Sequence, residues 1–367
     1  MRRVLLIGLL GLFVFPVTSW GQSGKPAFQR GYLHPQLVQD GHGNAGMLWV
    51  RLSTNGHDLV LAKRHANGAL QDPVKVNSGD GEVLYVESPE GRPGLAAGPG
   101  SVVGASWFDT SGRLFVAVSR DGARSFGQPV DVAPGFADSR HPYSDVAFDA
   151  SGTLYVTWVS TRDGLPQLLV ARIDGDRNPV VQNLTGDFAM TACSGSRPDL
   201  FIRGRDLTIS FRVAGEDGFR DVHRIRTGSD LKSSKPERMG PAQWKLDGCP
   251  ATGAANAGEF TWFLDGSAGP TRLVEASSPS ASPVPVAAAT VASPFTPRVI
   301  AGSEGPAWML YLPGRTFGQV LVREGGSWRV LVDEVPYFCS DITMLEGQLL
   351  MVGDKEGTLW MEAAAVN

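Results

Sequence analysis

A four-strand pattern that returns roughly every 50 residues constrains this chain more than any other feature. Each copy opens on a short strand, passes a Gly-rich turn and enters a strand rich in Val, Trp and Phe. A third strand of the Leu-Val-Ala-Arg type follows, and in several copies a Pro-Val-x-Val segment comes next. The first strands begin near Pro35, Pro93, Pro142, Pro198, Pro250, Pro297 and Ser340. Stacked radially, such sheets cover each other's faces and leave only short edges. The aromatic and β-branched residues suit sheets buried on both sides. The spacing predicts an all-β protein: a single β-propeller of about seven four-stranded blades, or six if one module is a decoration. The last module stops after its third strand. The segment Pro26–Leu33 is placed to supply the missing outer strand, closing the ring with the N- and C-terminal segments.

The N-terminus has its own signature. Met1-Arg2-Arg3 precedes an apolar run from Val4 to Val17, then Thr18-Ser19-Trp20-Gly21. A positive start, a short apolar core and small residues before a cut predict a signal peptide over 1–21. The propeller domain then occupies 22–367, secreted or periplasmic in a bacterium. The run is short for a membrane span, so no membrane insertion is expected after cleavage. Losing Arg2 and Arg3 makes the chain more acidic than its formal net charge of -4. That balance argues against a nucleic-acid partner. The expected partner is a glycan or a protein, the expected state is a monomer, and no cofactor is expected.

The turn after the third strand of the second module reads Ser119-Arg120-Asp121-Gly122-Ala123-Arg124-Ser125-Phe126. Asp121 is placed to accept backbone N–H bonds across the hairpin. Ser119 and Ser125 can add local bonds, and Phe126 can plug the gap between blades. This segment resembles the Asp-box, or BNR repeat, of sialidases and sialidase-like propellers, with Ala123 where that family usually has glycine. The box is a fold-stabilising element and says nothing direct about activity. Three further stretches look like a bacterial group of secreted sialidase-like propellers: Cys193 with Arg197-Pro198-Asp199, Phe219-Arg220-Asp221-Val222-His223, and Trp244 with Gly248-Cys249-Pro250 and Gly253.

Retained sialidase chemistry implies three arginines clamping a carboxylate, a Tyr–Glu nucleophile pair and an Asp acid/base. The bidentate fork of arginine explains the clamp. Arg92, Arg197 and Arg298, all at first-strand entries, fit that role. The Arg-Ile-Pro motif of the family's first clamp arginine is absent, and spacing assigns no Tyr–Glu pair. Tyr143, Tyr311 and Tyr337 lie nearest to suitable loops.

All three cysteines, Cys193, Cys249 and Cys339, fall just before a first strand, as do His34 and His141. First strands line the channel of a propeller, so these residues should gather at its mouth. Three readings stand: a Cys193–Cys249 disulfide between consecutive modules, a metal site drawing on Cys193, Cys249, Cys339 and His141, or cysteines filling small buried positions. Alternation places Asp221 and His223 on one face, as a dyad or as part of an inter-blade network. The ligand-binding candidates are His34, Arg92, His141, Tyr143, Arg197, Arg220, Asp221, His223, Trp244 and Arg298. The functional readings are a binding module for a glycan or protein, a glycoside hydrolase of the sialidase type, and a metal-binding propeller.

Overall fold

The computed structural model describes residues 32–365 apart from 54–55, 66–68, 80–81, 136–141, 162–163, 176–177, 187, 189–190, 194, 216, 233–234, 241–242, 251, 287–294, 302–306, 312–316, 337 and 356–357. The signal segment, most of the proposed closing strand, His141 and Tyr337 lie outside the described residues. So do the side chains of Tyr311 and Cys339.

Seven antiparallel sheets follow one another along the chain. Six carry four or five strands and the seventh, residues 338–365, carries three. The ring thus has six full blades and a three-stranded closing sheet. The inner strands are Leu33–Gln39, Gly94–Ala97, Ser144–Phe148, Asp199–Arg203, Ala254–Ala257, Arg298–Ala301 and Phe338–Leu345. Each lies beside the next, and the last returns to the first. Leu33 belongs to the inner strand of sheet 1, where it faces Val50, and so does not extend sheet 7. Among the described residues the helical content is one 3₁₀ turn, Pro89–Gly91.

The core is divided among the interfaces between sheets. Leu48, Leu59 and Leu61 of sheet 1 pack on Val103, Trp107 and Ala117 of sheet 2. Met47, Trp49 and Val60 on the other face of sheet 1 meet Leu345, Leu350 and Val352 of sheet 7, which closes the ring. Period-two alternation makes this possible, because successive side chains of one strand feed opposite interfaces.

The turn at Ser119–Phe126 has the bonding its sequence predicts. Asp121 Oδ1 accepts the Arg124 and Ser125 N–H groups, and Asp121 Oδ2 accepts the Ser125 hydroxyl at 2.7 Å. Ser119 Oγ donates to Asp121 and accepts the Ala123 N–H. Phe126 packs on the interface between sheets 1 and 2. Burial opposes the charge of Asp121, but the bonds from Ser125, Ser119 and Arg124 outweigh it and pull the carboxyl down to about 2. A depressed folded value means stability that is present above the ordinary value near 3.8 and lost as pH falls through about 2. Asp121→Asn should therefore flatten the acid limb of stability in that window. Urea titrations at stepped pH check this, and an unchanged limb would refute it.

Candidate functional site

The inner-strand entries are joined by a repeated device. Asp145 Oδ2 accepts the Leu200 N–H at 2.8 Å, Asp199 Oδ2 accepts the Asn256 N–H at 2.8 Å, and Asp341 Oδ2 accepts the Leu37 N–H at 2.9 Å. Each aspartate sits on one inner strand and grips another sheet's inner strand. Asp341, fully buried, thereby ties sheet 7 to sheet 1.

The connection between sheets 1 and 2 then crosses the mouth. Ser88 Oγ accepts the Glu90 N–H at 3.4 Å, and Pro89 presets the backbone of the 3₁₀ turn. Gly91 fits because a Cβ there would stand 2.5 Å from the Val86 Cβ. Glu90 Oε1 accepts the Thr296 N–H at 2.6 Å, reaching the entry of sheet 6. His34 Nε2 meets the Val86 carbonyl at 2.6 Å, and Gln36 Nε2 donates to the Pro93 carbonyl. Arg197 Nη1 donates to the Arg92 carbonyl from sheet 4. Residues 86–92 thus form a strap at the centre of the ring.

Arg92, Arg197 and Arg298 meet around this strap. Arg197 pairs with Asp145 at 3.1 Å and Arg298 with Asp341 at 2.8 Å. Arg92 Nε is buried with no hydrogen-bond partner among the described residues, and the same holds for Glu90 Oε2 and His34 Nδ1. Burial, then the Arg298 and Arg197 cations, push the Arg92 guanidinium down to about 9, so it stays charged at neutral pH. Burial raises Glu90 against the pull of the Thr296 N–H, Arg92 and Arg197. Burial and the Asp145 charge raise Asp199. Burial, with help from Arg92 and Arg197, lowers His34 to about 4, so it is neutral at neutral pH. Tyr143 is raised by burial and then by the Glu90 charge. Arg92, Tyr143 and Arg298 are only half-buried, so the cluster reaches solvent.

The remaining candidates form an adjoining network between sheets 4 and 5. Arg220 donates from Nε to the Gly248 carbonyl and from Nη1 to the Phe219 carbonyl at 2.8 Å. Asp221 accepts the Trp244 N–H at 2.9 Å and faces Arg238 at 3.6 Å. The His223 ring packs edge-on against Phe188, and burial lowers it to about 4. No side-chain dyad of Asp221 and His223 is formed, because Asp221 lies before the strand Val222–Thr227, where alternation does not apply. Trp244 stacks on Arg212, a buried arginine that the sequence reading passed over.

Cys193 and Cys249 form a disulfide with Cα atoms 5.8 Å apart. With both sulfurs in the bridge, neither supplies a thiolate, which corrects their candidacy as metal ligands. Among the described residues no three His, Cys, Asp or Glu side chains group as a metal site. The Gly253 of the Gly-Cys-Pro segment has a steric reason, since a Cβ there would strike the Arg197 carbonyl oxygen.

Sequence reasoning gave no site role to Glu90, Asp145, Asp199 or Asp341, although Asp199 belongs to the Arg197-Pro198-Asp199 stretch. The three aspartates had a findable signal, each standing within three residues of its module's starting Pro or Ser.

No protein-family model and no curated protein matches the chain. Solved structures do match in fold. The BP39L lectin from Burkholderia pseudomallei superposes with a TM-score of 0.64 at 11% identity, covering 92% of this chain and 97% of the lectin. The Hadza microbial sialidase Hz136 gives 0.51 at 11% identity over 92% of this chain and 66% of the sialidase. The Penicillium chrysogenum alpha-L-arabinanase gives 0.51 at 12% identity over 79% of this chain and 97% of the arabinanase. The chain is a β-propeller of the kind found in sialidases, an arabinanase and a lectin.

Proposed function

We propose that this chain is an exported, sialidase-like recognition module that binds a carboxylate-bearing glycan at the channel mouth. The reading is carried by one observation. Three arginines converge, two are closed by aspartates, and Arg92 keeps a buried Nε with no acceptor among the described residues. A clamp needs forks free to take a carboxylate. Arg197 and Arg298 are committed to Asp145 and Asp341, so Arg92 is the group left to meet an anion. The turn at Ser119–Phe126 supports an Asp-box, and the disulfide is consistent with an oxidising compartment.

A second reading, hydrolysis of the sialidase type, is favoured by the effect of the Glu90 charge on the Tyr143 phenol. In it, Glu90 would accept the proton of the Tyr143 hydroxyl.

Calorimetry with sialyllactose and with lactose, alongside an aryl sialoside assay, separates the two. Binding predicts a carboxylate-dependent affinity that Arg92→Ala weakens by about tenfold or more, an effect near 1.4 kcal/mol, with no product released. Product formation abolished by Tyr143→Phe establishes the hydrolase. Equal affinity for both sugars, unaffected by Arg92→Ala, overturns the carboxylate reading.

A further inference from the structure

A cleft of about 500 Å³ opens between sheets 4 and 5, at the end of the inner strand Asp199–Arg203 far from the strap. Phe201, Arg203, Asp206, Arg226, Lys232 and Glu259 are among the residues that line it. Strand geometry puts them there. The turn after Arg203 leads back into the strand Asp206–Ala214, and the register sets Phe201 opposite Thr208 and Thr208 opposite Arg226. Ile225 points into the core shared with sheet 3, so alternation turns Arg224 and Arg226 the other way, toward sheet 5. Phe201 and Arg203 share that face, because Leu200 and Ile202 pack on the sheet 3 side. The opposite wall is the turn Gly258–Glu259 of sheet 5, held by Arg224 Nη1, which donates to the Glu259 carbonyl at 3.2 Å.

The charged groups of this cleft face solvent. Arg203, Asp206, Arg226, Lys232 and Glu259 are all exposed. Among the described residues Arg203 has no ion-pair partner, and Lys232 reaches only Asp230, at 3.9 Å with 88% of its side chain exposed. Arg224 is buried behind them, and its Nε has no hydrogen-bond partner among the described residues. Burial and then the Arg226 charge lower Arg224, against the pull of Glu237 and Glu259. The lining itself sets the cations of Arg203, Arg226 and Lys232 against the carboxylates of Asp206 and Glu259, which leaves it positive.

We propose that this cleft binds a tetrahedral oxyanion, a phosphate or sulfate group either free or carried on a sugar. Its cations come from three separate elements: the turn after the inner strand, the third strand, and the connection that follows. A carboxylate presents two oxygens in one plane and is met by a single arginine fork. A phosphate or sulfate group presents three oxygens in different directions, which suits donors arriving from three sides. Thr208, half-buried in the row between Phe201 and Arg226, adds a hydroxyl to the lining. The volume lies within the roughly 300–1,000 Å³ of small-molecule pockets, enough for the anion and a sugar ring.

Calorimetric titration of the whole protein with inorganic phosphate, inorganic sulfate, glucose 6-phosphate and glucose 6-sulfate tests this, with glucose as the neutral control. At least one anion should bind with a dissociation constant on the order of 1 mM, and more weakly as salt is raised. Arg203→Gln and Lys232→Gln should each weaken it by about fivefold. Asp206→Asn and Glu259→Gln should each tighten it, because each removes a like charge. All four side chains are exposed, so these variants report on the cleft rather than on folding. Esters that bind more tightly than the free ions assign a carried group, and equal affinities assign the free anion; both support the site. No response from any of the four anions, a response unchanged in Arg203→Gln and Lys232→Gln, or one weakened by Asp206→Asn overturns the proposal. A response lost with Arg92→Ala and kept in both cation variants overturns it as well, by assigning the anion to the channel mouth.

Discussion

Arg212→Met is expected to lower the free energy of unfolding by about 3–5 kcal/mol, among the largest losses from one substitution in this chain. Arg212 is 1% exposed and has no carboxylate hydrogen-bonded to it among the described residues. Its guanidinium instead donates to the Thr252 carbonyl at 2.9 Å, the Leu264 carbonyl at 3.1 Å and the Arg220 carbonyl. Trp244 covers it, with the guanidinium carbon 5.0 Å from the ring centroid. Burial pushes it down to about 10, while the charges of Asp265 and Asp221 hold it up, so it remains a cation at neutral pH. Methionine fills much of the volume but leaves three carbonyls without that donor. Each buried unsatisfied group costs about 1–3 kcal/mol. Arg212→Lys should recover only part of the loss, because an ammonium cannot reproduce the planar fork. Guanidinium-chloride unfolding of both variants measures this, and a loss under about 1 kcal/mol for Arg212→Met would contradict it.

The contrast between Arg212 and Arg197 shows what a sequence of this kind reveals. The fold was legible because alternation within strands and recurrence between them are both periodic, and the seven inner strands begin where the repeat places them. The disulfide was legible for the same reason: Cys193 and Cys249 stand at equivalent places in consecutive modules. Arg92, Arg197 and Arg298 share module position, and position alone brings them together. Glu90 has no such signal. It sits in the long connection before the second module, and only the crossing of residues 86–92 over the mouth brings it to Thr296. Arg212 was hidden differently. It lies on a strand whose alternation faces an interface, and its partners are backbone carbonyls, which carry no side-chain signature. The pairing of two arginines with aspartates was hidden as well. Closed pairs and open clamps look alike in a list of arginines, although they bind anions very differently.

Breaking the Cys193–Cys249 bridge should cost about 2–5 kcal/mol, and chain entropy alone gives about 4 kcal/mol for a cross-link of this span. The two cysteines are 56 residues apart in sequence. Their bridge holds the entry of sheet 4 against the segment before sheet 5, where Ser196 Oγ also donates to the Pro250 carbonyl at 2.7 Å. Arg197 follows directly and carries the links to Arg92 and Asp145. Loss of the bridge should therefore loosen the candidate site as well as the fold. Cys193→Ala, Cys249→Ala and the double variant should lose stability about equally, since each removes the same cross-link. The Leu200 amide, whose bond to Asp145 depends on this corner, should exchange its hydrogen faster in all three. The thiol count supplies a separate check on the premise. The chain has 3 cysteines, so denatured, unreduced protein should label at Cys339 alone, and reduction should expose the other two. Full labelling without reductant, or single variants as stable as the native chain, would show that the bridge does not hold this corner of the ring.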